Sequence, residues 1–126
     1  MLIHNTDTTA AQAMEMDGAV GVSMRLMIGR DDGAPGFAMR HFTVEVDGHT
    51  PLHRHNYEHE VYVLAGKGLV KSGDTQRPIG PGSAVFITAN ELHQFRNVGD
   101  DVLQFVCMVP VQFDCGGGQC QATPGS

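Results

Sequence analysis

The chain lacks the features that mark membrane-spanning and secreted proteins. No stretch of its 126 residues approaches the ~18 consecutive apolar residues that a membrane-spanning helix needs. The first residues, Met1 to Asp7, have neither the basic start nor the apolar core of a signal peptide. We therefore expect a protein that works in the cytoplasm and has no membrane partner.

Basic residues are also scarce. Eight lysines and arginines face 14 acidic residues, which gives a formal net charge of -6. The basic residues are scattered along the chain, and no helix-turn-helix pattern is visible. Because binding to nucleic-acid phosphates needs clustered positive charge, we expect no nucleic acid partner.

Cysteine is rare and its count is odd, with Cys107, Cys115 and Cys120 as the three examples. An odd number argues against the disulfide framework of a small secreted domain. Cys115 and Cys120 flank a glycine-rich spacer and could close a disulfide or hold a soft metal ion. Two thiols alone make a weak tetrahedral zinc site, so the alternative is an irregular tail with two incidental cysteines.

Short apolar segments alternate with turn-forming residues along most of the chain. Strands are predicted at 20–28, 37–46, 60–64, 69–71, 84–87 and 102–111, with turns that include one at Asp47-Gly48. Turns about every 8–12 residues are typical of an all-β sandwich or barrel. The length suits a single domain over residues 1–126, with a barrel core at about 20–112. We expect a short irregular segment before it, with room for a brief helix in 1–17, and an irregular tail at 113–126.

Histidines supply the strongest functional signal. His53, His55 and His59 lie in one short run, and His93 lies in a later one. Side chains alternate faces in a strand, so His53 and His55 are predicted to point the same way. Imidazole is a common ligand of Zn, Fe, Cu and Ni, so this pattern predicts a metal site. The alternative is a set of surface histidines near a turn.

The other histidines carry no such pattern. We expect His41 and His49 at the surface and His4 in a mobile end.

The histidines belong to two longer motifs. The pattern Gly48…His53-x-His55-x3-His59-x6-Gly66, followed by Pro81-Gly82…His93-x3-Asn97, resembles the paired motifs of the cupin superfamily over about residues 37–111. Two intervals depart from the family pattern: the one before His53 is a residue shorter, and Gly82 lies farther from His93. The resemblance implies an antiparallel jelly-roll β-barrel, a homodimer, and one divalent transition metal ion (Mn, Fe, Cu, Ni or Zn) inside the barrel.

The usual ligand set of that family is three histidines and one glutamate. Here the residue at the glutamate position is either His59 or Glu60. The interval to Gly66 and the alternation with Val61 favour His59, so the predicted ligands are His53, His55, His59 and His93. Four neutral imidazoles leave the full charge on a divalent ion, which strengthens Lewis-acid behaviour.

Strand alternation and sequence proximity nominate further residues around the ion. The pocket candidates are Arg40, Phe95, Phe105 and Cys107, and the candidate partners of the histidine ring N–H groups are Glu58, Glu60 and Asn97. An inward Arg40 either anchors a substrate carboxylate or forms an ion pair. Cys107 either steers the substrate or simply packs.

The predicted function is a metal-dependent oxygenase, or a related lyase or isomerase, that acts on a small polar molecule. The alternative is a non-catalytic barrel that binds or senses a small molecule, because one fold hosts many reactions.

Overall fold

The computed structural model describes residues 1–114, which are built mainly from β-strands. The strands are β1 (Gln12–Ala13), β2 (Val20–Ile28), β3 (Phe37–His49), β4 (His59–Ala65), β5 (Gly68–Ser72), β6 (Thr75–Ile79), β7 (Ala84–Ile87), β8 (His93–Asn97) and β9 (Leu103–Pro110). Single turns of 3-10 helix lie at Thr6–Thr8, Arg30–Asp32 and Val111–Phe113. Residues 1–114 contain no α-helix, so the predicted all-β class is confirmed. Cys115 and Cys120 lie outside the described residues.

No helix in the described residues is long and apolar enough to cross a membrane.

The strands form one curled antiparallel sheet of the jelly-roll type. Its hydrogen-bonded order is β6-β5-β8-β3-β9-β4-β7, with β2 paired to β3 and β1 paired to β2. Strands distant in sequence are therefore neighbours, and β9 lies between β3 and β4. This order brings the first and second histidine motifs together on the concave face.

The core lies on the concave face and follows the strand alternation. On β9, Leu103, Phe105, Cys107 and Val109 are buried, and the residues that alternate with them are half-buried. Phe105 stacks on two other rings, with centroid distances of 5.2 Å to Phe42 and 5.0 Å to Phe95. Offset stacking of this kind adds to the stabilisation from burial. The three rings therefore form a stacked aromatic layer next to the histidines.

The predicted turn at Asp47-Gly48 is wrong, because β3 runs on to His49. Asp47 takes a left-handed backbone conformation with φ 66°, and the register with β2 is irregular here. A Cβ at Gly48 would clash with the carbonyl oxygen of Val20. The two turn-forming residues thus make a β-bulge, which kinks a strand without ending it.

Gly66, the last glycine of the first motif, follows β4 and lies in close contact with the start of β9. Gly66 and Gly82 have similar φ angles, 92° and 91°. A Cβ at Gly66 would lie 2.7 Å from Leu103 Cα and would also clash with the carbonyl oxygen of Val102, whereas a Cβ at Gly82 meets nothing within 4 Å. Gly66→Ala is therefore expected to lower the free energy of unfolding by about 1–3 kcal/mol more than Gly82→Ala. Urea denaturation of both variants measures this difference, and equal losses would contradict the predicted clash.

Candidate functional site

Three histidines from two distant segments meet at one end of the concave face. His53 and His93 form an isolated antiparallel bridge through two backbone hydrogen bonds of 3.1 and 2.9 Å. The ligand nitrogens of His53, His55 and His93 all lie within 4.8 Å of one another. The Nε2 atoms of His53 and His55 are 3.1 Å apart. Nitrogens that converge in this way can share one cation.

The segment that carries His53 and His55 is not a regular strand. It is held instead by neighbouring backbone, since the N–H of Asn90 donates to the carbonyl oxygen of His55. Asn90 takes a left-handed conformation with φ 67°, which asparagine adopts more readily than most residues. The corner before β8 therefore anchors the first motif to the second.

His59 lies beside this group at the start of β4. Its side chain points inward and is 6% exposed, whereas Glu60 is exposed on the outer face. The ring centroid of His59 is 4.7 Å from that of His55 and 5.2 Å from that of His93. Its Nδ1 lies 3.1 Å from Cys107 Sγ, and its Nε2 is buried without a hydrogen-bond partner among the described residues.

The cluster favours neutral imidazoles. Burial, with smaller contributions from His55, His93 and Arg40, lowers the pKa of His53 to about 3. Burial likewise lowers the pKa of His59 to about 2, and it lowers the pKa of His93. Only the neutral form of histidine ligates a metal ion. Converging neutral nitrogens and the buried nitrogen of His59 therefore fit a divalent transition ion.

A backbone carbonyl sets the tautomer of His93. Its Nδ1 lies 2.8 Å from the carbonyl oxygen of Glu91, so Nδ1 carries the proton and Nε2 keeps its lone pair. The Glu91 carboxylate holds the same corner, because it accepts hydrogen bonds from Ser72 Oγ (2.6 Å) and Thr88 N (3.0 Å). Sequence reasoning did not select Glu91 as a ring partner, since a backbone contact two residues away leaves no side-chain signal.

Asn97, Glu58 and Glu60 were predicted as partners of the histidine rings, but their side chains are directed elsewhere. Asn97 Nδ2 donates to the carbonyl oxygens of Val44 and Asp101, both at 2.9 Å, and its Oδ1 accepts from Gly99 N. Asn97 thus stabilises the turn after β8. Glu58 and Glu60 are both exposed. Glu58 precedes β4, and the position of Glu60 on β4 turns its side chain to the outer surface.

A narrow cavity of about 50 Å³ opens next to the histidines. Its lining consists of Met14, Met16, Arg40, Phe42, Thr50, Pro51, His53, His55, Tyr57, His59, Val61, His93, Phe95, Phe105 and Cys107. The predicted pocket residues Arg40, Phe95, Phe105 and Cys107 are all in this set. Most of the other lining side chains are apolar or aromatic.

Sequence reasoning did not select Met14, Met16 or Tyr57, which line the cavity. Met14 and Met16 come from the segment after β1, which the hydrogen bond from Met14 N to Val22 O (2.9 Å) holds against β2. Tyr57 stacks on His55 at 4.7 Å and on Phe113 at 3.9 Å. Burial raises the pKa of Tyr57, so its hydroxyl keeps its proton at neutral pH. The position of Tyr57 inside the histidine run was the available signal.

Arg40 is buried in the cavity wall. Its guanidinium carbon lies 5.1 Å from the centroid of the Phe42 ring, and its Nη2 lies 3.4 Å from Cys107 Sγ. A cation over an aromatic face is stabilised by the ring quadrupole, which offsets part of the cost of burial. Arg40 therefore brings positive charge to the cavity beside the histidines.

The predicted surface position of His41 is wrong, since this residue is 7% exposed. It lies on the central strand β3, in register with Arg25 of β2 and Val106 of β9. Burial, with a smaller contribution from Arg25, lowers its pKa. His49 is half-buried near Thr50, and the exposed His4 contacts Asp32 at 3.0 Å.

The chain resembles known proteins in both sequence and fold. A family model described as a cupin domain matches residues 40–109, more than half of the chain. The structure of the polyketide cyclase RemF from Streptomyces resistomycificus is similar with a TM-score of 0.83 and 30% identity, over 98% of this chain and 82% of that one. A cupin 2 conserved barrel domain protein from Rhodopseudomonas palustris has a TM-score of 0.74 and 30% identity, over 87% of this chain and 80% of that one.

Curated relatives match over shorter stretches. The 1-methylthio-D-xylulose 5-phosphate methylsulfurylase of Rhodospirillum rubrum is 37% identical over 76 residues, which are 60% of this chain. The oxalate-binding protein of Thermotoga maritima is 32% identical over 59 residues, or 46% of this chain. The matched part spans 49% of the length of each of these two relatives.

Proposed function

Since the chain belongs to the cupin family, we propose that it is a metal-dependent enzyme with its centre at the histidine cluster. The observation that carries this proposal is the convergence of neutral imidazole nitrogens at the head of an aromatic cavity. The proposed ligands of one divalent transition ion are His53, His55, His59 and His93. When bound, such an ion supplies a Lewis acid that polarises a carbonyl oxygen of the substrate.

The protein's own residues define the substrate that we propose. Phe42, Phe95 and Phe105 offer flat apolar surfaces, and Met14 and Met16 offer adaptable ones. This lining suits a flat, largely apolar molecule whose carbonyl oxygens face the histidines. The similarity to a polyketide cyclase over 98% of this chain supports a substrate of that class, a chain with carbonyls on alternate carbons.

Two polar groups border the proposed substrate position. The Arg40 guanidinium lines the cavity beside the histidines, and its positive charge would stabilise negative charge that develops on a carbonyl oxygen there. The Tyr57 hydroxyl holds a proton, because burial raises its pKa. We propose that Arg40 orients the substrate and that the stacked rings of Tyr57 and Phe113 exclude water from one side of the cavity.

Two rival functions remain to be separated from this one. The predicted oxygenase chemistry would use the same histidines with a redox-active ion and dioxygen. Non-catalytic binding is favoured by the similarity to an oxalate-binding protein. The three functions differ in what they do to a substrate analogue, so one set of measurements distinguishes them.

The test uses benzoylacetone, an aromatic 1,3-diketone, with the protein loaded separately with zinc and with iron. We expect metal at about one ion per chain, and exchange of the diketone α-protons with deuterated water at least about tenfold faster than with metal alone. Proton exchange is followed by NMR and oxygen uptake by electrode. His93→Ala is expected to abolish the acceleration. Oxygen consumption matched to loss of the diketone would favour the oxygenase, and binding without exchange would favour the non-catalytic function.

The assembly and location also stay predictions. We propose a homodimer, as the family resemblance implies, in which the outer face of β4 and β7 forms the interface between the two copies. Tyr62 and Phe86 are 50% and 58% exposed on that face. Exposed apolar side chains of this kind are common at protein interfaces. A cytoplasmic location is proposed with it.

A further inference from the structure

The buried Cys107 thiol contacts the one histidine of the proposed ligand set that stands apart from the other three. Cys107 is 3% exposed on the concave face of β9, and its Sγ lies 3.1 Å from His59 Nδ1. The nitrogens of the other three histidines group within 4.8 Å, and His59 lies outside that group. The contact therefore acts on the one proposed ligand that is outside this group.

We propose that Cys107 is the positioning residue of His59, an inference that rests on the proposed metal site. In this arrangement Cys107 Sγ accepts a hydrogen bond from the Nδ1–H of His59. The proton then resides on Nδ1, and Nε2 keeps the lone pair that ligation requires. A ligating histidine almost always donates its second ring N–H to an acceptor, and a sulfur takes that part here.

The surroundings of the sulfur favour its role as an acceptor. Arg40 Nη2 also lies 3.4 Å from Cys107 Sγ, and a guanidinium can only donate hydrogen bonds. Cys107 Sγ therefore already accepts one hydrogen bond, and it has a second lone pair for the Nδ1–H of His59. Cys107 thus joins Arg40 and His59 in one row of hydrogen bonds along the cavity wall.

The state of His59 Nε2 agrees with this tautomer. This nitrogen is buried and has no hydrogen-bond partner among the described residues. If the proton were on Nε2, the site would hold a buried N–H donor without an acceptor, which costs about 1–3 kcal/mol. With the proton on Nδ1, Nε2 is an unoccupied lone pair in the cavity beside three other histidines. Only this second state is useful to a metal ion.

His59 and His93 look equivalent in sequence, but different kinds of group orient their rings. His93 is oriented by a backbone carbonyl, which substitution of a side chain cannot remove. His59 is oriented by a side chain, so its contribution is sensitive to residue 107. A substitution at residue 107 is therefore expected to weaken the metal site without removing a ligand.

The first test compares metal affinities by competition with a chelator. Cys107→Ala is expected to raise the dissociation constant for zinc about 10- to 100-fold, the range for loss of an outer hydrogen-bond partner. Cys107→Ser keeps an acceptor and is expected to recover most of that loss. Val109→Ala, the control on the same strand and face, removes two buried methyl groups away from the cavity and is expected to leave the affinity unchanged. Equal affinities in Cys107→Ala and the wild type would overturn the inference.

The second test needs neither a variant nor a metal ion. In metal-free protein labelled with 15N at histidine, the ring shifts report which nitrogen of His59 carries the proton, and we expect Nδ1. A proton on Nε2 would overturn the inference and leave the proposed function intact. Conversely, a wild type that binds no metal would end the proposed function, whereas the NMR result would still report the His59–Cys107 bond.

A third test uses cobalt-loaded protein. A sulfur-to-cobalt charge-transfer band would show that Cys107 is a ligand and not a positioning residue, which would overturn the inference.

Discussion

Replacement of His93 by alanine is expected to weaken the binding of a divalent transition ion by more than about 100-fold, because loss of an outer hydrogen-bond partner alone costs 10- to 100-fold. His93 is the only proposed ligand on β8, and it bridges to His53 through the backbone. Its Nδ1 is already engaged by the Glu91 carbonyl, so its Nε2 is held ready for a metal ion. Chelator competition and elemental analysis of the purified variant measure the loss.

The choice of the fourth ligand is tested by a neighbouring pair of substitutions. His59→Ala is expected to lower metal affinity strongly, because the ring of His59 packs against those of His55 and His93. Glu60→Ala is the matched control, since its exposed side chain points to the outer face. We expect it to leave metal content unchanged. The reverse result, loss of metal only in Glu60→Ala, would contradict a centre of four histidines.

Acidification is expected to destabilise the metal-free protein well above the pH at which carboxylates titrate. The pKa values of His53 and His59 in the folded state are lowered to about 3 and about 2, and that of His93 is also lowered. Unfolded histidines bind protons near pH 6.5, whereas the folded ones remain neutral. Stability is therefore complete above about pH 6.5 and falls as the pH drops toward the folded pKa values. His53 and His59 each contribute a loss of about 2 kcal/mol by about pH 5.

Urea denaturation of chelator-treated protein at several pH values measures this loss. Asp32 and Glu91 have lowered pKa values too, but their ordinary values are 3.8 and 4.5, so their stabilisation is lost only at lower pH. The interval from about pH 6.5 to about pH 5 thus reports mainly on histidines. His53→Gln, which removes one titrating group, is expected to reduce the loss by about 2 kcal/mol. A stability that does not change across the interval would show that the rings are not held neutral.

Much of the fold was predictable because strand alternation is a local property. The predicted segments 20–28 and 84–87 correspond to β2 and β7, and the inward positions of β9 follow the predicted alternation. Local chemistry misled where tertiary contacts reversed it. Asp47 and Gly48 are ordinary turn formers, yet pairing of β3 with β2 carries the strand through them as a bulge. His41 has a polar side chain, but its central strand buries it.

The candidate site, like the fold, was predictable only in part. Spacing alone nominated the histidines, because metal ligands must converge and short intervals in a strand limit how they can do so. The partners that orient the rings were not predictable. Glu91 acts through its backbone, and Cys107 meets His59 from 48 residues away because β9 pairs with β4. The residues after β1 reach the cavity only because β1 pairs with β2.

The sequence by itself determined the all-β class, the family and the histidines that we propose as metal ligands, since these depend on residue type and on intervals along the chain. Only the tertiary structure decided that His41 is buried, that the chain continues as a strand through Asp47 and Gly48, and which groups orient the rings. It also decided that the cavity beside them is aromatic. Those properties arise from the pairing of distant strands, and that pairing depends on how the whole chain buries its apolar surface.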